Sequence, residues 1–251
     1  MKTESVSLIS ERLKAADEET LPSLILSYEN DERKAVRQAV LRAKKKLEKL
    51  KEEDERLTRM LEFERKYPGL VVCGLDEVGR GPLAGPVTVA AVILPEGLKI
   101  RYVNDSKKLS EIKREELSAE IKEKAAAFRV CSLPPERIDD VNILNATKEA
   151  MVNAVNTISV KPDVLLIDAL TLPVDIRQKS IIKGDARSLS IASASIIAKV
   201  ERDAYMKKMA ELYPEYGFEQ NKGYGTAEHI AALRKYGPCP IHRKSFIQNL
   251  L

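Results

Sequence analysis

The sequence predicts an α/β domain, a mixed sheet covered by helices, preceded by a helical N-terminal extension. Three observations carry this. β-rich runs crowd the start of the region beyond residue 69, and helical and strand patterns alternate after them. Residues 1 to 68, by contrast, hold no convincing strand and are dense in Lys, Arg and Glu. At 251 residues with 44% apolar content, the chain is long enough for one large domain and an appendage, each with buried apolar side chains. Pro68-Gly69 marks the division, giving residues 1–68 as the extension and 69–251 as the main domain with its C-terminal helices.

Within the extension, apolar positions recur in steps of four and three: Val36, Val40, Ala43, Leu47, Leu50, Leu57 and Leu61, with Asp54 interrupting. That is a heptad seam. It reads as a long amphipathic helix docked on a partner helix from residues 3 to 29, in preference to a dimerising coil. Lys44 to Lys46, Lys49 and Lys51 either touch a phosphate backbone or form a solvated face, since glutamates follow closely.

The main domain opens with an apolar run, Leu70 to Leu75, that ends on Asp76 and Glu77. Three glycines and two prolines follow within nine residues, and Val87 to Leu94 returns as a second strand, most simply antiparallel to the first. Ser110 is a plausible N-cap for an amphipathic helix over 111–125. Ala127 to Leu133 makes a third strand, stopped by Pro134-Pro135, and residues 138–159 carry helical periodicity. Asp163 to Asp168 is a continuous apolar strand of the parallel, doubly covered kind. Ser180 to Gly184 reads as another strand, and Asp185 begins a long helix to about Leu212 whose small residues allow close packing on the sheet. Gly217 to Gly225 is a loop holding Tyr224; Thr226 caps a helix to about Tyr236, and a short helix ends the chain.

Asp168 and Asp185 join Asp76 and Glu77 as candidates; if the apolar strands that Asp76 and Asp168 end neighbour one another, as sequential elements often do, three or four carboxylates converge at one sheet end. Taken singly these residues have blander readings: solvated surface for Asp76-Glu77, a strand-end polar group for Asp168 and a helix N-cap for Asp185. Converging carboxylates raise one another's pKa, and divalent cations remove that penalty. Two ions about 3.5–4 Å apart can activate water and stabilise the departing oxygen of a phosphodiester. Asp203, some five turns into its helix, reads as structural, paired with Arg202 or a loop.

Other chemistries are disfavoured. Gly79, Gly81 and Gly85 have the wrong spacing for a dinucleotide fingerprint, and a strand follows where a helix should begin. No glycine-lysine phosphate loop is present. With only His229 and His242, a histidine-based hydrolase is unlikely, and the ligands of any metal would be carboxylate oxygens, pointing to magnesium or manganese. Cys73, Cys131 and Cys239 read as reduced thiols of a cytoplasmic protein. No apolar run approaches the ~20 residues of a membrane span, and no apolar signal core follows Met1. A net charge of +4 is compatible with a nucleic-acid partner.

The run Gly74-Leu-Asp-Glu-Val-Gly-Arg-Gly-Pro-Leu-Ala-Gly-Pro86 resembles the signature of type 2 ribonucleases H, specifically bacterial ribonuclease HII. The resemblance continues in order through Asp105 to Leu109, Leu166 to Ala169, Lys183 to Ala186, Ser190 to Val200, Asn221 to Thr226 and His242-Arg243. The predicted strand order fits the ribonuclease H-like architecture. The extension does not look like the strand-bearing N-terminal domain of the type 3 relatives.

The resemblance implies that Asp76, Glu77, Asp168 and Asp185 bind Mg²⁺ or Mn²⁺ and are the catalytic acids. It implies that Gly79-Arg80-Gly81 senses the ribose 2′-hydroxyl, that Tyr224 stacks on the following deoxyribose, and that Lys107 and Lys183 contact phosphates. The expected activity is hydrolysis of the RNA strand of RNA–DNA hybrids and incision at ribonucleotides in duplex DNA, by a monomer. A catalytically silent hybrid-binding protein is the first rival, and a coiled-coil adaptor working through residues 31–66 is the second.

Overall fold

The computed structural model describes residues 4–251, which divide into two compact units, one ending at Thr58 and the other Arg59–Leu251. The first unit is all helical. α1 (Val6–Ala15) starts on Ser5, whose side chain accepts from Leu8 N–H. α2 (Leu21–Tyr28) and α3 (Lys34–Met60) follow. Val36, Ala39, Val40 and Ala43 of α3 are buried with Ile9, Leu13, Leu21 and Ile25, so this part of the seam is used within the chain.

The partner differs from expectation, since the segment ahead of α3 is two short helices and not one over 3–29 (residue 3 lies outside the described residues). The break has a local cause: Asp17 Oδ1 accepts from both Thr20 N–H at 2.9 Å and the Thr20 hydroxyl at 2.6 Å, a turn that competes with the helix. Pro22 then sits in the first turn of α2. Two lysines of the α3 cluster are consumed here. Lys44 pairs with Glu29, and Lys46 Nζ donates to Lys14 O and Ala16 O at the end of α1. Lys45, Lys49 and Lys51 are exposed.

The second unit is built on a five-stranded sheet of order β3-β2-β1-β4-β5. β1 (Val72–Val78) pairs antiparallel with β2 (Val87–Ile93), and β2 pairs antiparallel with β3 (Ala127–Leu133). On the other side β1 runs parallel to β4 (Val164–Asp168), and β4 parallel to β5 (Arg177–Ile181). The mixed α/β fold expected from the sequence is therefore present. β1 reaches three residues past the apolar run, so Asp76 and Glu77 lie within the strand. β5 falls earlier than Ser180 to Gly184; as an edge strand with mostly exposed polar side chains it carries little periodic signal.

Helices cover both faces. α4 (Glu111–Lys124) is capped by Ser110, as expected. The single helix read over 138–159 is two, α5 (Pro135–Val141) and α6 (Ile143–Thr157). Asn142 breaks it at φ 67° and ψ 164°, outside the helical region, and its side chain then accepts from Asn145 N–H to cap α6. One face of the sheet buries Leu75, Val89, Ala91, Leu165 and Ile167 against Ala150, Met151 and Ala154 of α6.

The other face carries α7 (Leu189–Leu212), buried along most of its first half, where Ala192, Ser193, Ala194, Ser195 and Ala198 keep the helix surface shallow. A Cβ on Gly74 of β1 would lie 2.2 Å from the carbonyl carbon of Ser190 and 2.5 Å from Ile191 N. Helix backbone thus touches strand backbone, and only glycine fits between them. The start of α7 is Leu189, not Asp185. Ser188 Oγ accepts from Ile191 N–H, and Glu64 Oε1 accepts from Ser188 Oγ and Ser190 N–H. α8 (Phe218–Asn221), α9 (Ala227–Tyr236), capped by Thr226, and α10 (Lys244–Ile247) complete the unit.

Gly74→Ala forces the helix off the strand, and overpacking of this kind costs about 3 kcal/mol or more where backbone is the obstacle. Urea denaturation should show that loss, or the variant should fail to accumulate as folded protein; wild-type stability would contradict the contact.

Candidate active site

The parallel register places Leu75 beside Ile167, so the next residues, Asp76 within β1 and Asp168 at the end of β4, stand side by side on neighbouring strands. Because side chains alternate along a strand, both point away from the α6 face and toward the α7 face. Asp185 follows β5 in a separate tight turn, Gly184–Ala186, entered through Lys183 in the left-handed conformation. Gly184 N–H donates to Asp168 Oδ1 at 2.7 Å, tying that turn to the end of β4. The N-cap reading of Asp185 is thereby excluded.

Asp76 is 5% exposed, and Glu77 Oε2 is buried with no hydrogen-bond partner. The electrostatics reflect the crowding. Burial first, then Glu77, and more weakly Asp168, hold the Asp76 carboxyl well above its ordinary range. Ser195 of α7 opposes this by hydrogen bonding to Asp76, and Ser195 Oγ lies 3.0 Å from Ser106 Oγ. Glu77 is raised by burial, while Arg80, 3.5 Å away, partly offsets that. Asp185 is raised by burial, then by Asp105 and Asp168. Lys107 acts on Glu77 and Asp185 in the opposite sense, so it stands near the carboxylates. Lys183 is exposed one residue ahead of Gly184.

The acidic residues are thus near enough to repel one another. Among the described residues, however, no three Asp, Glu, His or Cys side chains stand drawn together at ion-holding geometry. The donors still suit a hard divalent cation. They are all carboxylate oxygens, the anionic forms of Asp76, Glu77 and Asp185 are destabilised in its absence, and Glu77 Oε2 lacks any other partner.

Beside the carboxylates the chain turns through residues 79–86. A Cβ on Gly79, at φ 91°, would lie 2.2 Å from Arg202 Nε, so that position is closed to any side chain. Gly81 is different: a Cβ there would meet only Tyr224 Cε1, at 3.9 Å. Gly81 and Tyr224, which is 44% exposed, therefore face each other across a gap that a single added carbon would fill.

Two arginines that the sequence reading did not single out hold this loop. Arg243, fully buried, donates to Gly79 O, Arg80 O and Gly85 O at 2.6–3.0 Å. Arg202, also buried, donates to Pro86 O, Lys222 O and Ala84 O, so it links the glycine loop to the Tyr224 loop. Asp203 takes Lys199 at 2.8 Å as its partner instead, with Arg114 at 3.9 Å. His242-Arg243 stood in the matched motifs, and that was the one available signal. Arg202 carried none, because its partners lie up to 118 positions away along the chain.

The family model "Ribonuclease HII" matches residues 73–249, and "Ribonuclease HII N-terminal domain" matches residues 5–68. Ribonuclease HII of Lachnoclostridium phytofermentans is 53% identical over 225 residues, 89% of each chain. Ribonuclease HII of Clostridioides difficile is 48% identical across 100% of both chains. Among solved structures, ribonuclease H2 from Pyrococcus horikoshii OT3 aligns with TM-score 0.61 and 26% identity, over 71% of this chain and 96% of that one. With its sheet and its sequence in accord, the chain belongs to the ribonuclease HII family.

Proposed function

We propose that this chain is an endonuclease that hydrolyses the RNA strand of RNA–DNA hybrids and incises duplex DNA at embedded ribonucleotides, leaving 5′-phosphate and 3′-hydroxyl ends. The observation that carries this reading is Asp76 of β1 side by side with Asp168 at the end of β4, next to a glycine tripeptide that faces Tyr224.

Asp76, Glu77, Asp168 and Asp185 are the residues that hold Mg²⁺ or Mn²⁺ in this reading. A bound divalent cation there supplies Lewis-acid stabilisation of the phosphate and a more acidic water. The chain's own part is positioning. The sheet ends fix the carboxylates, while Ser195 and the Gly184 N–H orient Asp76 and Asp168. Near Gly81 the main chain is bare, so a ribose 2′-hydroxyl can come within hydrogen-bond reach of backbone groups. A deoxyribose on the other side of the scissile phosphate lies against the exposed Tyr224 ring. Lys107, near the carboxylates, and Lys183, exposed beside the Asp185 turn, neutralise phosphates, so affinity falls with salt. Residues 1–68 are an appendage to this machinery, and the enzyme works as a cytoplasmic monomer.

Asp76→Asn should reduce cleavage by roughly 10³-fold or more, with duplex binding retained. It relieves like-charge repulsion, so without metal it should melt at or above wild type. Adding Mn²⁺ should raise the melting temperature of wild type but not of the variant. A variant that loses binding in step with cleavage would contradict the assignment.

Tyr224→Ala should lower cleavage about tenfold on a duplex with one ribonucleotide and much less on a fully hybrid duplex. A uniform fall on both substrates, measured on sequencing gels, counts against the stacking role.

The two glycines should fail differently. Gly79→Val displaces Arg202 and destabilises the fold, whereas Gly81→Val folds but fills the gap that the sugar needs. Thermal melting and cleavage of the same preparations separate the cases, with Arg80→Lys milder than either. Gly81→Val with normal activity would place 2′-hydroxyl sensing elsewhere.

A further inference from the structure

Behind the Tyr224 loop lies a buried histidine pair with no part in the chemistry above. His229 is 0% exposed and His242 is 4% exposed, and their Nε2 atoms are 3.0 Å apart. His229 Nδ1 lies 2.8 Å from Tyr224 O, and Cys239 N–H donates to His242 Nδ1 at 3.0 Å.

The tautomers follow from these partners. A carbonyl oxygen only accepts, so His229 Nδ1 carries the proton and its Nε2 is an acceptor. His242 Nε2 must then carry a proton, which leaves its Nδ1 free to accept from Cys239, as the geometry requires. The result is one directional chain, from Cys239 N–H through His242 and His229 to Tyr224 O. Each ring is neutral in it. Burial lowers the pKa of both histidines, that of His242 to about 4. Aromatic rings close the surroundings, with Tyr216 4.9 Å from His242 and Phe218 5.3 Å from His229 between centroids.

The next residue along, Arg243, grips the carbonyls of Gly79, Arg80 and Gly85, and Gly85 N–H donates to Ile241 O. One short segment, Cys239–Arg243, therefore holds both sides of the gap between the tripeptide and Tyr224.

We propose that His242 and His229 are positioning residues that set the place of Tyr224 relative to the Gly79-Arg80-Gly81 backbone, and so determine how strictly the enzyme requires an RNA–DNA junction. This rests on the reading of Tyr224 and the tripeptide as the sugar-sensing elements, and deepens it.

Glutamine keeps a donor near the place of an imidazole Nε2–H and asparagine does not, so paired variants isolate the bond. Relative to a fully hybrid duplex, His242→Asn should lose about five- to tenfold on the single-ribonucleotide duplex, the worth of about one hydrogen bond. His242→Gln should restore it, and His242→Asn added to Tyr224→Ala should cost nothing further. Equal losses on both substrates without rescue by glutamine, or additive effects in the double variant, overturn the proposal. If His242 variants do not fold, His229→Asn, which keeps a donor near Nδ1, should retain selectivity while His229→Gln loses it. The same loss in both overturns the proposal.

The Tyr224 ring resonances of a selectively labelled protein separate the two layers. If Tyr224→Ala has no selective effect, the sugar-sensing reading is wrong. A ring that shifts or broadens in His242→Asn and recovers in His242→Gln then still supports positioning, and an unchanged ring refutes it.

Discussion

The contact between the backbone of α7 and that of β1, at Ser190 and Gly74, sets the position of almost everything else in the catalytic unit. Because α7 lies directly on the central strand, its successive turns reach successive parts of the site. One turn past the contact, Ser195 meets Asp76; farther on, Arg202 enters the loop between β1 and β2. Small side chains make this possible. A helix of ordinary bulk would stand off the sheet by the length of its side chains and carry Ser195 and Arg202 away from their partners.

That rigidity is needed because the acidic residues resist their own assembly. Asp76, Glu77 and Asp185 all have raised pKa values, from desolvation first and from neighbouring carboxylates after it. Left to local preferences they would turn toward water. Strand pairing and the Gly184–Asp168 hydrogen bond hold them instead, and the folding energy of the sheet is what sustains the strain. In the proposed function a bound cation would relieve this penalty.

The recognition side is organised by the opposite charge. Arg202 and Arg243 are both buried and are balanced by main-chain carbonyls. Several charge-assisted hydrogen bonds from one planar group fix a glycine-rich loop that would otherwise be mobile. Flexibility in sequence is thus reconciled with an anchored loop on which Gly81 stays exposed.

Much of this was legible in the residues alone. The apolar runs of β1, β2 and β4 announce buried strands, Ser110 and Thr226 cap the helices they precede, and Asp76 and Asp168 stand where those runs of β1 and β4 give out. What stayed hidden depends on partners remote in sequence or on the absence of a pattern. β5 is an exposed polar edge, recognisable only by the strand it pairs with. The breaks at Asn142 and at Asp17–Thr20 arise from side chains bonding backbone, which hydrophobic periodicity does not register. Asp185 looks like a helix cap until Ser188 is seen in that role. The carbonyls gripped by Arg243 lie as many as 164 positions away, so its function exists only once the chain has folded. Sequence by itself determined the types of most elements and which acids are candidates, because those follow from local periodicity and side-chain composition. Tertiary structure alone decided which acids meet, which backbone is laid bare and what holds Tyr224 opposite it, because these are distances between segments that no local rule relates.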